Sequence, residues 1–138
     1  MGYFRYVHAS DNPTRASSEA HSARLANDGN PGTFWEAESG DTDAWLQIDL
    51  ERVVAISRTK LTFPTPGNWR YRIEISTDGD SWKLLVDQTA TENSSAERTD
   101  SVSSGPASGR FVRVSIIAPS HQPAALAEVE AFGSQVVP

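Results

Sequence analysis

An antiparallel β-sandwich is the fold class this sequence predicts, and three observations predict it. Apolar and polar residues alternate at period two in short runs. Each run is bounded by Gly, Pro, Asn, Asp or Ser. No segment sustains a helical period; Ser17 to Asn27, with Ala20, Ala23 and Ala26, has room for one short turn. Short strands joined by turn residues, without amphipathic helices between them, describe two packed sheets.

The strands follow in order. Leu46, Ile48 and Leu50 share a face, with Gln47 and Asp49 opposite. Thr59, Leu61 and Phe63 alternate with Lys60 and Thr62. Tyr71, Ile73 and Ile75 alternate with Arg72 and Glu74, and the run ends at Ser76-Thr77-Asp78-Gly79-Asp80-Ser81-Trp82, a hairpin signal in which Asp-Gly supplies positive φ. Trp82 and Leu84 then resume the core face, and Trp45 is expected in the core as well. A strand is expected near Arg98 to Val102, inside the Ser/Thr-rich stretch from Gln88 to Gly109. Val112, Val114 and Ile116 alternate with Arg113 and Ser115, and Val129 and Ala131 with Glu128 and Glu130. Four polar connections stand out: 16–24, 36–44, 64–70 and 118–124.

Composition narrows the function. The 138 residues carry 18 acids against 12 bases, a net charge of −6. That opposes a nucleic-acid partner and docking to an anionic membrane, since both need a basic surface. Without cysteine, disulfides, thiol catalysis and Cys-based zinc sites are excluded. No apolar run approaches the ~18 residues of a membrane span. Met1-Gly2-Tyr3 reads as the start of an excised segment. Residues 1–6 are expected to be an extension or remnant, 7–133 one sandwich module, and 134–138 a linker.

The stretch Asn27-Asp28-Gly29-Asn30-Pro31-Gly32-Thr33-Phe34-Trp35 puts an acid, two glycines, a proline and a hydroxyl before a tryptophan. Such a turn can aim several oxygens at one point, as a hard cation requires. A plain Asx-turn, with Asp28 capping Gly29 and Asn30, is the alternative reading. Asp78-Gly79-Asp80 is read as a turn only, because it has no distant carboxylate partner.

NDGNPGTFW, WLQIDL, YRIEISTDGDSW, GRFVRVSI and AEVEAFG occur in this order between residues 27 and 133. In this the chain resembles the discoidin-like domains of coagulation factors V and VIII, and more closely their bacterial relatives, the family 32 carbohydrate-binding modules. The resemblance spans about Val7 to Gly133. It implies an eight-stranded jelly-roll, galactose-binding-like sandwich that is not an enzyme. It also implies a covalently linked glycoside-active catalytic domain, an extracellular or periplasmic location and a structural Ca²⁺. The metal set it implies is the Asp28 carboxylate, the Leu25, Asn30 and Ala127 carbonyls, Thr33 through carbonyl and hydroxyl, and the Glu128 carboxylate.

The resemblance implies a glycan site on the four polar connections. An aromatic face and planar polar groups are what a pyranose requires. Trp69, in a Pro-Gly-Asn loop, is the expected stacking ring; folding onto the sandwich edge is its alternative. Asn68 and Arg70 flank it, although Pro64 stands where relatives often carry an Arg. Trp35 is expected to be buried beneath the site. Glu19 and His21 in the first loop, Glu36 after Trp35, and His121 and Gln122 in the last loop complete the candidates. Each histidine has simple solvation as its alternative. A monomer is expected, with a glycan as partner. An adhesion module binding protein or lipid at the same loops is the competing reading. A small glycosidase is a third, but Glu19, Glu36, Glu38, Asp41 and Asp43 lie in no recognisable motif.

Overall fold

The computed structural model describes residues 3–7, 12–102 and 106–135. They form ten strands and one 3₁₀ helix: β1 Tyr3–Val7, β2 Thr14–Ala16, the helix Ala23–Asn27, β3 Trp35–Glu36, β4 Trp45–Thr62, β5 Arg70–Ser76, β6 Lys83–Gln88, β7 Glu97–Ser101, β8 Ala107–Ile117, β9 Ala125–Leu126 and β10 Glu128–Gln135. Every pairing is antiparallel. The ladder runs β1-β10-β4-β8-β5-β6, with β2 and β7 also on β4, while β3 and β9 pair separately.

Strand β4 joins the two layers. Its first half pairs with β8 from Trp45↔Ser115 to Asp49↔Phe111, and its second half pairs with β10 and β7. The register slips between Asp49 and Val54, and Glu51 sits there at φ 67°. Beyond that corner the strand returns across the core, so Ile48 and Leu50 meet Leu61, Ile73, Val112 and Val129 around one interior point. Burying these alternating aliphatic side chains is the main stabilising contribution of the fold.

Two glycines permit close approach. A Cβ on Gly133 would lie 1.9 Å from the Ala55 carbonyl oxygen, and one on Gly109 would lie 2.1 Å from Ile75 Cγ1.

The expected alternation is observed: Leu46, Ile48, Leu50, Thr59, Leu61 and Phe63 are buried, as are Tyr71, Ile73 and Ile75 of β5, Val112, Val114 and Ile116 of β8, and Val129 and Ala131 of β10. The hairpin turn closes as read, with Asp78 Oδ1 accepting the amides of Asp80 at 2.8 Å and Ser81 at 2.9 Å. Two expectations need correction. Trp45 and Trp82 are not core residues; they are half-buried on the outer face, with the Arg113 guanidinium 4.2 Å from one ring centre and 4.4 Å from the other. Leu84, expected on the core face with Trp82, is 50% exposed. Trp45 shares its parity with Gln47 and Asp49, so the pleat turns it outward. Tyr3 to Val7 pair with Ser134 to Glu130 of β10.

Candidate functional site

The 28–33 turn is built around oxygens of Asp28 and Asn30. Asp28 Oδ1 accepts the Asn30 amide at 3.0 Å, and Oδ2 accepts the Thr33 hydroxyl at 2.5 Å. The Asn30 carbonyl accepts the Thr33 amide at 3.2 Å and its hydroxyl at 3.1 Å. Gly29 makes the bend at φ 76°. Thus the Asx-turn of the alternative reading forms.

Glu128 comes to this turn from the other end of the chain. It opens β10, against which the 3₁₀ helix packs, and is 7% exposed. Burial first, and then the charges of Asp28 and Glu130, push its carboxyl up to about 7. A buried carboxylate whose proton affinity a neighbouring carboxylate raises is an arrangement that a divalent cation relieves. Leu25 lies in the helix just before Asp28, and Ala127 directly precedes Glu128. No group of three or more His, Asp or Glu side chains converges among the described residues. A cation here would therefore take hydroxyl and carbonyl oxygens beside the two carboxylates, which is a hard-oxygen set suited to Ca²⁺.

At the same end of the sandwich, a groove of about 540 Å³ runs between connections 38–42 and 118–124. Glu38, Asp41 and Thr42 line one wall, and Ile117, His121 and Gln122 line the other. His121 is held at φ 65° in a turn closed by the Gln122 amide on the Pro119 carbonyl at 3.2 Å. Asp41 Oδ2 takes the hydroxyls of Ser17 at 2.6 Å and Ser18 at 2.7 Å, and these bonds hold its carboxyl below the usual range. Ile117, 55% exposed, separates the groove from a smaller cleft of about 160 Å³ that reaches Arg72 and Thr89.

Of the residues expected to contact a glycan, His121 and Gln122 line this groove and the others are placed elsewhere. Trp69 requires correction: it is 1% exposed, its ring stacks on Phe63 with centres 4.9 Å apart, and its Nε1 donates to the Thr65 carbonyl at 2.9 Å. Neither ring face is available to a sugar. Trp35 is buried as expected, at 0% exposure, and donates Nε1 to the Ser18 carbonyl at 2.9 Å, so it supports the first loop from beneath without contacting ligand. Glu19 is engaged in capping the 3₁₀ helix through the Ala23 amide at 2.7 Å. His21 bridges to Glu36 on β3 and lies 4.9 Å from the Phe34 ring.

Asn68 faces a separate open depression with Glu92, Asn93 and Ser94, and accepts the Asn93 amide at 3.5 Å. Arg70 pairs in register with Ile117 at the end of β5, half-buried, with its Nε unpartnered among the described residues.

Sequence reasoning missed four residues. Ile117 was signalled by the consecutive pair Ile116-Ile117, since a strand cannot bury both neighbours on one face. Glu38 and Asp41 read as solvated loop acids, and only the facing loop shows otherwise. Arg98, 4% exposed, donates to the carbonyls of Ser95 at 2.6 Å, Gly67 at 3.0 Å and Trp69 at 3.1 Å, and also to that of Asn93. It ties connection 64–69 to residues 93–95, and Gly67 in turn abuts Pro119 of the groove.

A jelly-roll sandwich with a groove and an oxygen-rich turn on its loops is the architecture of a discoidin-type binding module. The chain belongs to the F5/8 type C domain family, which matches residues 7–129. Among solved structures, it is similar to CpGH89CBM32-6 of Clostridium perfringens, at 23% identity and a TM-score of 0.79, covering 91% of this chain and 96% of that one. It is also similar to the family 32 carbohydrate-binding module of C. perfringens NanJ, solved with galactose, at 22% identity and a TM-score of 0.78, covering 94% and 99%. A third is chitosan-binding module 1 of a Paenibacillus sp. IK-5 chitosanase/glucanase, at 20% identity and a TM-score of 0.80, covering 94% and 100%. These likenesses establish the fold. No curated protein sequence matches the chain.

Proposed function

We propose that this chain is a non-catalytic carbohydrate-binding module, stabilised by one Ca²⁺, that tethers a covalently attached glycoside-active domain to a glycan outside the cytoplasm, extracellular or periplasmic. The observation that carries the reading is the groove between connections 38–42 and 118–124, which combines apolar Ile117, Pro119 and Pro123 with hydroxyl, amide, imidazole and carboxylate groups. A pyranose needs both kinds of surface, one for its C–H face and one for its hydroxyls. With Trp35 and Trp69 buried, the apolar wall is aliphatic, so affinity should be modest, roughly micromolar to millimolar. Such affinity suffices for a tether, because attachment raises the local substrate concentration of the partner domain. The solved relatives support the ligand class: one is complexed with galactose, and another is a chitosan-binding module derived from an enzyme.

Asp28, Thr33 and Glu128 would hold the ion, with carbonyls of Leu25, Asn30 and Ala127. Bound there, it would neutralise the facing carboxylates and join the first loop to β10. Isothermal calorimetry of the monomer against a monosaccharide and oligosaccharide panel, with and without EDTA, tests both parts. His121→Ala and Gln122→Ala should each weaken whichever sugar binds while leaving melting unchanged. Normal binding by both variants would move the site out of the groove, and a panel without any binder would end the reading. The adhesion alternative draws on exposed Ile117. Sedimentation with phosphatidylserine vesicles would reveal it.

A further inference from the structure

Connection 64–69 is fastened beside the groove at Gly67. The Gly67 amide donates to the Ser94 carbonyl at 3.0 Å. Its carbonyl accepts the Trp69 amide at 2.9 Å and the buried Arg98 guanidinium at 3.0 Å. Arg98 gives its other donors to the carbonyls of Ser95, Asn93 and Trp69, so the connection is held to β7 from beneath. Gly67 also meets the groove: a Cβ there would lie 3.1 Å from Pro119 Cγ and 3.4 Å from Trp69 Nε1. Relaxed carbon–carbon contacts run at about 3.5–4.0 Å, so any side chain here must displace a neighbour. Gly67 is tied at both its backbone groups, and the Trp69 ring is stacked on Phe63. Pro119 is half-buried in a loop whose turn is closed by the Gln122 amide on the Pro119 carbonyl at 3.2 Å. Pro119 is therefore the neighbour that yields, and His121 and Gln122 move with it.

We propose that Gly67 is a positioning residue for the groove. Having no side chain, it lets Pro119 seat on a connection that Arg98 anchors, and that seat aligns the wall carrying His121 and Gln122. The consequence for binding rests on the carbohydrate reading of the same groove. Polar groups that recognise a ligand must be held to within about 0.5 Å, so a displaced Pro119 is felt at these two side chains.

The test is a double-mutant cycle of Gly67→Ala with Pro119→Ala, which removes the Cγ that a Cβ at position 67 would meet. Two quantities are read: the backbone amide shifts of His121 and Gln122 in the ligand-free chain, and calorimetric affinity for whichever sugar of the panel binds. Gly67→Ala alone should move both shifts and weaken the sugar about two- to tenfold, the scale of one hydrogen bond. Made on top of Pro119→Ala, the same change should do neither. Unmoved shifts in Gly67→Ala overturn the inference, as do shifts that move while affinity holds. A loss that persists in full beside Pro119→Ala also overturns it, because the effect then runs through Trp69 and not through the groove wall. Each of these outcomes leaves the carbohydrate reading standing. A panel without a binder ends that reading alone, since the ligand-free shifts by themselves uphold or overturn the seat.

Discussion

Truncating Trp69 removes a ring packed flat on Phe63, so Trp69→Ala should destabilise the fold by about 3–5 kcal/mol, read as a lower urea midpoint. Arg98→Met strands several buried carbonyls and should cost about 3 kcal/mol or more. Amide exchange at Gly67 and Trp69 should accelerate in that variant, because Gly67 N donates to the Ser94 carbonyl at 3.0 Å across the same junction. Tyr71 offers a pH readout. Burial and the hydroxyl's bond to Asp100 raise its proton affinity, and Gln88 holds the other Asp100 oxygen at 2.7 Å. The unfolded phenol ionises near pH ~10 and the folded one only above it. Stability is therefore intact below pH ~10 and declines as pH rises past it, since the unfolded chain then loses a proton that the fold retains. Denaturation on either side of pH ~10 should show a smaller alkaline loss in Tyr71→Phe than in the parent. At this scale the sequence was only half legible. The Pro-Gly-Asn flanks of Trp69 describe a loop but not which way the ring falls. The buried cation that holds the Trp69 carbonyl lies 29 residues later, as Arg98.

Strands were legible where period two ran unbroken, because each position has one face. The stretch Glu51 to Arg58 hid its character. Val53 and Val54 break the alternation at the point where β4 changes layer, so one strand of 18 residues read as two separate runs. β2, β3 and β9 are 3, 2 and 2 residues long, too short for any period to show. The two tight contacts between elements give a ranked prediction. Gly109→Ala meets the Ile75 side chain and should cost about 1–3 kcal/mol, the usual range for overpacking. Gly133→Ala meets the backbone of Ala55, which has less room to yield, and should lie at or beyond the upper end. Thermal melts of both variants check the order.

Across the whole molecule, the turn at 28–33 and Glu128 lie about a hundred residues apart in sequence yet close enough for the Asp28 charge to act on Glu128, so an ion bound there would link the two ends of the module. Calcium at 100 times its Kd should add about 2.7 kcal/mol. Differential scanning calorimetry should show that gain disappear with EDTA, and Glu128→Gln should melt at the same temperature with or without calcium. A parent chain indifferent to EDTA would remove the ion from the account. This pairing was legible only through family resemblance, since Asp28-Gly29-Asn30 alone specifies an Asx-turn. The groove was legible in part. His121 and Gln122 were in view, but its opposite wall depends on how connection 36–44 folds back over Ser17 and Ser18, which no local pattern records.

The pairing of Tyr3 with Ser134 puts both termini of the sandwich at the pole where β4 turns its corner, away from the groove. Neighbouring domains attached at either terminus would leave the groove loops unobstructed. Copies strung head to tail could then each engage a separate stretch of polymer, and reporter proteins fused at either terminus should leave ligand capture intact.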